Sequence, residues 1–97
     1  MRNVHIIAYD IAEPKRYRRI YPVMCGHGDP LQYSVFRCPL SDTELQSLKD
    51  TLWPLLNLAE DRVMIIRLGP VKEGGDDAIE FWGLPCVQPV APAAIII

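Results

Sequence analysis

The strongest constraint on this chain is the way a two-residue period and a helical period follow each other, beginning with Val4-His5-Ile6-Ile7-Ala8-Tyr9-Asp10. The run is apolar and β-compatible, and predicts a strand buried on at least one face. It stops on an acid and passes through Ile11-Ala12-Glu13 to Pro14, a residue suited to the first turn of a helix. Beyond Pro14, Tyr17, Ile20, Tyr21 and Met24 fall at i, i+3, i+4 and i+7, the apolar stripe of a helix. Lys15, Arg16, Arg18 and Arg19 occupy the other positions. Pro22 removes an amide donor and predicts a kinked or shortened helix, which Gly26 and Gly28 then end.

Leu31–Cys38 alternates as a single strand, with Leu31, Tyr33, Val35 and Arg37 on one face and Gln32, Ser34, Phe36 and Cys38 on the other. The second face is mixed. It would be open to water in a plain two-layer domain, or a contact surface in a dimer or binding site. Ser41-Asp42-Thr43-Glu44 has the capping-box pattern and opens a second helix, whose stripe is Leu45, Leu48, Leu52, Leu55 and Leu56. Pro54 bends or ends it, and Trp53 reads as core or interface. Val63–Leu68 is apolar enough for the middle of a sheet. Lys72–Asp77 lacks the ligand spacing of a calcium loop and reads as a solvated turn before a short strand over 78–83. Pro85, Pro89 and Pro92 then predict an extended linker to a terminal Ala94–Ile97 strand that adds to a sheet edge.

This order predicts an α+β fold, a ferredoxin-like βαββαβ sandwich with an additional C-terminal strand and two helices on one face of an antiparallel sheet. Residues 1–83 form the domain; residues 84–97 form a proline-rich tail that docks on a partner protomer or another protein. A domain of 97 residues gains much by sharing its core across a dimer interface.

The charge is uneven. Residues 1–40 carry six basic and three acidic side chains, and residues 41–97 four basic and nine acidic ones. The first half is therefore suited to a phosphate backbone, although basic residues also commonly line solvated helix faces. Three cysteines without CxxC spacing argue against a disulfide framework or a zinc site and for a reducing compartment. With no leader and no apolar run of membrane-spanning length, the expectation is a cytoplasmic protein without a membrane partner.

Asp10, at the end of a core strand and just before the basic helix, is the candidate for chemistry; the structural alternative is a helix cap or a strand stop. His5 lies inside the first strand, and His27 in a glycine turn has no evident acid–base partner.

The strand ending Tyr9-Asp10, the basic helix after Pro14, Gln32-Tyr33-Ser34-Val35-Phe36 and Glu60-Asp61-Arg62-Val63 together resemble the small CRISPR-associated (Cas) endonuclease family. This is the second universal protein of the CRISPR adaptation machinery. The resemblance covers roughly residues 1–83 and implies a homodimer of ferredoxin-like domains. The resemblance further implies that the dimer bridges integrase dimers and holds double-stranded spacer-precursor DNA. It also implies a magnesium-dependent endonuclease with Asp10 as catalytic and metal-associated residue, acting on DNA or single-stranded RNA. By the same resemblance Tyr9, Lys15, Arg16, Arg18, Arg19, Ser34 and Phe36 fall in segments associated with activity or nucleic-acid contact. The alternative is a ferredoxin-like toxin-type ribonuclease or a non-catalytic regulatory dimer.

Overall fold

In a computed structural model of the protein, which describes residues 1–73 and 75–84, the two periods fold into strands and helices in the expected order. Strand β1 spans Asn3–Asp10, helix α1 Pro14–Cys25, β2 Asp29–Gln32, β3 Val35–Leu40, α2 Asp42–Leu52 and β4 Arg62–Pro70. The sheet order is β2-β3-β1-β4, with every neighbouring pair antiparallel. Both helices supply buried residues to one face, and the core joins Ile7, Tyr9, Phe36 and Cys38 from the sheet to Ile20, Tyr21 and Met24 of α1 and Leu45, Leu48 and Leu52 of α2.

Local chemistry sets the helix ends. Glu13, not Asp10, caps α1: its carboxylate accepts from the Arg16 N–H at 2.9 Å. Ser41 and Glu44 close a reciprocal capping box on α2. Arg2 adds two hydrogen bonds to the Glu44 carboxylate. With Ser41 assisting, that guanidinium draws the Glu44 pKa down to about 2. Pro54 does end the regular helix, which tightens into a 3-10 turn over Trp53–Leu55.

Four expectations about the strands and their faces are corrected. Leu31–Cys38 is not one strand: the chain reverses at Tyr33-Ser34 and forms the β2–β3 hairpin. The two-residue turn sets Gln32 opposite Val35 and shifts the alternation by one, but the irregularity between Pro30 and Gln32 shifts it back, so that Pro30 pairs with Phe36 and the break leaves little trace in the pattern. The face that carries Phe36 and Cys38 is the core face, with both side chains completely buried, so at these two positions it is neither open to water nor a contact surface. Among the described residues Val63–Leu68 lies in an edge strand rather than mid-sheet, and Met64 and Ile66 stay exposed because they lie on the face the helices leave uncovered. No strand forms over 78–83; a short 3-10 turn, Gly75–Ala78, occupies the start of that stretch.

Pro22 does not shorten α1, which continues to Cys25 and is capped by Gly26 as expected. The proline is exposed, and on the solvent side of a helix water can take up the carbonyl that loses its amide partner. Lys72–Asp77 is more than a solvated turn, because Asp76 accepts two hydrogen bonds from Arg37. Gly75 packs so close to the Gly69 carbonyl that a Cβ there would lie 2.8 Å from its oxygen. The expected terminal strand and its docking fall on residues 85–97, outside the described residues.

Candidate nucleic-acid interface

Directly opposed residues of antiparallel strands share a face. The register therefore sorts the sheet into a helix-covered face, with Ile7 between Phe36 and Ile65 and Tyr9 beside Val63, and an outer face. The outer face carries three rows: Ile6 with Ile66, Ala8 with Met64, and Asp10 with Arg62. Asp10 thus ends an apolar stripe in which Met64 is 56% and Ile66 42% exposed. Its carboxylate is open to solvent and stands 3.8 Å from the Arg62 guanidinium, an ion pair but not a hydrogen bond. Of the alternatives for Asp10, the helix cap is excluded and the strand end is confirmed.

On the other side of Asp10 lies the β2–β3 turn. Ser34 is half-buried, and its carbonyl accepts from the Tyr9 N–H at 3.0 Å, closing the turn against β1. The Tyr33 ring is 77% exposed, and its carbonyl accepts a longer bond from the Tyr17 hydroxyl at 3.3 Å. Beneath this end of the sheet Tyr9 stacks on Phe36 with ring centroids 6.0 Å apart, and Tyr17 and Tyr21 complete the cluster. Phe36 is completely buried and Tyr9 nearly so, so neither ring presents a face to a ligand. Burial, with the adjacent Tyr17 second, pushes the Tyr9 phenol far above its usual pKa, and it is a neutral group at any working pH.

The four basic residues of α1 separate into two kinds. Lys15, Arg18 and Arg19 are exposed and, at i, i+3 and i+4, lie on one side of the helix opposite the Ile20–Met24 stripe. Arg16 projects sideways. Its Nε and Nη2 donate to the Asp61 carboxylate at 2.9 and 3.0 Å, and Nη2 also donates to Glu60. The Asp61 side chain is wholly buried and additionally accepts from the Ala12 and Asn57 backbone N–H groups, both at 2.9 Å. These partners, the Arg16 guanidinium foremost, hold the Asp61 carboxyl far below the usual carboxylate range. Sequence reading placed Arg16 with the nucleic-acid candidates and gave Asp61 and Arg62 no site role, although the Glu60–Val63 run directly before an apolar strand was part of the family resemblance.

One chain does not by itself fit a magnesium ion. A hard dication takes about six oxygen ligands, whereas Asp10 stands as a single carboxylate beside a guanidinium. Among the described residues, no group of three or more His, Cys, Asp or Glu side chains could hold a metal. Nor is any helix among them long and apolar enough to cross a membrane.

The strand order and the two helices on one face define a ferredoxin-like α+β domain, a class shared by many activities. Solved structures agree on the fold. A Thermus thermophilus protein described as hypothetical protein TT1823 superposes with TM-score 0.76 at 24% identity, over 92% of this chain and all of that one. Streptococcus pyogenes Cas2 superposes with TM-score 0.73 at 22% identity, over 82% of this chain and 99% of that one. The family model for CRISPR associated protein Cas2 matches residues 2–73, and the chain belongs to the Cas2 family. Proteins named CRISPR-associated endoribonuclease Cas2 include one from Rhodospirillum rubrum, 37% identical over 84% of this chain and 78% of its own length. Another, from Synechocystis, is 34% identical over 97% of this chain and 99% of its own length.

Proposed function

We propose that this Cas2-family chain works as a homodimer that binds double-stranded spacer-precursor DNA and bridges integrase dimers during CRISPR spacer acquisition. The observation that carries this reading is the exposed basic side of α1, where Lys15, Arg18 and Arg19 sit together opposite the core. Such a face neutralises phosphates without reading bases, giving binding that is steeply salt-dependent and indifferent to sequence. The uncovered outer face of the sheet, with Met64 and Ile66 exposed, supports pairing with a second copy.

A second reading, endonuclease activity on RNA or DNA, is favoured by the open Asp10 carboxylate and by the name of the curated relatives. Because one chain offers a single carboxylate there, this reading needs the dimer. Asp10 of each protomer would hold the magnesium ion, and the ion would supply Lewis-acid charge at a phosphodiester.

The test is co-purification with the candidate integrase, followed by spacer-integration assays on the wild type, Asp10→Asn and a Lys15/Arg18/Arg19 triple alanine variant. Scaffolding predicts integration that survives Asp10→Asn and fails with the triple variant. Undiminished integration by the triple variant would remove the proposed DNA contact. A chelator-sensitive cleavage rate that Asp10→Asn leaves unchanged would remove the nuclease reading.

A further inference from the structure

Arg62 is the basic residue that the geometry places at Asp10, and we infer that it is the phosphate-binding cation of that site. The inference rests on the proposed nucleic-acid function and deepens it. Three observations support it. Arg62 and Asp10 are direct cross-strand partners at the end of the outer-face rows, so the register of β1 and β4 fixes their proximity. The Arg62 side chain is 85% exposed, and its contact with Asp10 at 3.8 Å is too long for a hydrogen bond, so its donors are not engaged by the carboxylate. It also makes no hydrogen bond to any other side chain among the described residues.

The contrast with Arg16 is direct. That guanidinium belongs to the third residue of α1, yet its donors are bound by Asp61 and Glu60, and its side chain is only 21% exposed. A phosphate would have to break those bonds to reach it. Arg62 presents a planar fork of donors to solvent, the geometry that takes two oxygens of a phosphodiester. Asp10 is then its electrostatic competitor: the carboxylate attracts the guanidinium and repels an incoming phosphate. A nucleic-acid strand lying across the end of β1 exchanges the weak ion pair for a charge-assisted one and leaves the Asp10 carboxylate beside the bound phosphate.

The competition gives a readout that needs no cleavage. Binding of short fluorescein-labelled single-stranded RNA and of a DNA duplex is measured by anisotropy in EDTA, across a salt series, with the full chain. Arg62→Ala is expected to weaken binding about tenfold and to flatten the salt slope by about one. Arg62→Gln, which keeps the length of the stem, behaves the same way. Arg67→Ala, an equal loss of charge further along β4, leaves the slope unchanged. Asp10→Asn is expected to tighten binding about threefold in the wild-type background, with no gain in the Arg62→Ala background. An equal gain in both backgrounds assigns the effect to general charge and overturns the inference, as does an unchanged affinity and slope for both Arg62 variants. Wild-type protein that binds neither probe overturns the nucleic-acid reading itself. A response confined to one probe identifies which strand supplies the phosphate.

Discussion

Arg16 and Asp61, far apart in the chain, are joined by two hydrogen bonds of 2.9 and 3.0 Å on a carboxylate with no exposed surface. The same carboxylate holds the backbone N–H of Ala12, two residues past Asp10. The pair therefore ties the start of α1 and the loop after β1 to the turn before β4. A buried carboxylate left without its cation is costly, and so is an amide left without its acceptor. Asp61→Ala is expected to lower the melting temperature by about 10 °C or more. Arg16→Lys is not expected to recover what Arg16→Ala loses, because an ammonium cannot reproduce the two-pronged contact. Thermal unfolding followed by circular dichroism checks both, and a melting temperature unchanged in Asp61→Ala would show that this tie does not hold the loop.

Acid should unfold the protein through the same kind of contact. The Glu44 pKa falls from its ordinary 4.5 to about 2. Asp61 and Asp76 are also held low by their arginines. A carboxyl group depressed in the folded state stabilises it above the unfolded pKa, and that contribution is lost as pH falls through the folded one. Stability is therefore expected to be level above the ordinary 4.5 and to decline towards about 2. Denaturant midpoints measured across that range check it. In Glu44→Gln, with the Arg2 charge pair gone, the decline should be shallower.

Phe36 lies inside the aromatic cluster, so its replacement acts on folding. Phe36→Ala is expected to cost about 3–5 kcal/mol. Phe36→Leu, which keeps most of the volume, should retain nucleic-acid affinity at temperatures where it is folded. Equilibrium denaturation paired with binding anisotropy separates the two effects. Affinity lost in a fully folded Phe36→Leu would mean that the ring does contact the ligand.

The cysteines differ in reactivity. Burial pushes the Cys38 thiol up to about 12, whereas Cys25 is exposed. Iodoacetamide at neutral pH is expected to modify Cys25 in the native protein and to leave Cys38 unmodified until denaturant is added. Peptide mass mapping reads this directly, and rapid native labelling of Cys38 would show that the helix layer opens over β3.

The elements that could be read in advance are those whose information is local. The Ser41–Glu44 capping box, the Tyr17–Met24 stripe and Leu45, Leu48 and Leu52 of α2 need only neighbours within a turn or two and formed as expected, whereas Leu55 and Leu56 lie beyond the helix. The hairpin at Tyr33-Ser34 was hidden because the irregularity between Pro30 and Gln32 cancels the one-residue shift that the turn introduces, and the extra strand over 78–83 failed because pattern alone overrates a short apolar run. At the site, Asp10 was legible as an acid closing a strand. Its cross-strand partner was not, because pairing Asp10 with Arg62 requires knowing that β4 lies beside β1.

The sequence alone therefore determined the fold class, the first strand and the two helices, the family, and the basic character of α1. Tertiary structure decided which charges face solvent. Lys15, Arg18 and Arg19 remain open while Arg16 is bound across the fold by Asp61, although all four look alike along the helix. Helical spacing says which side of a helix a residue occupies, but only the packing of distant segments says what that side meets.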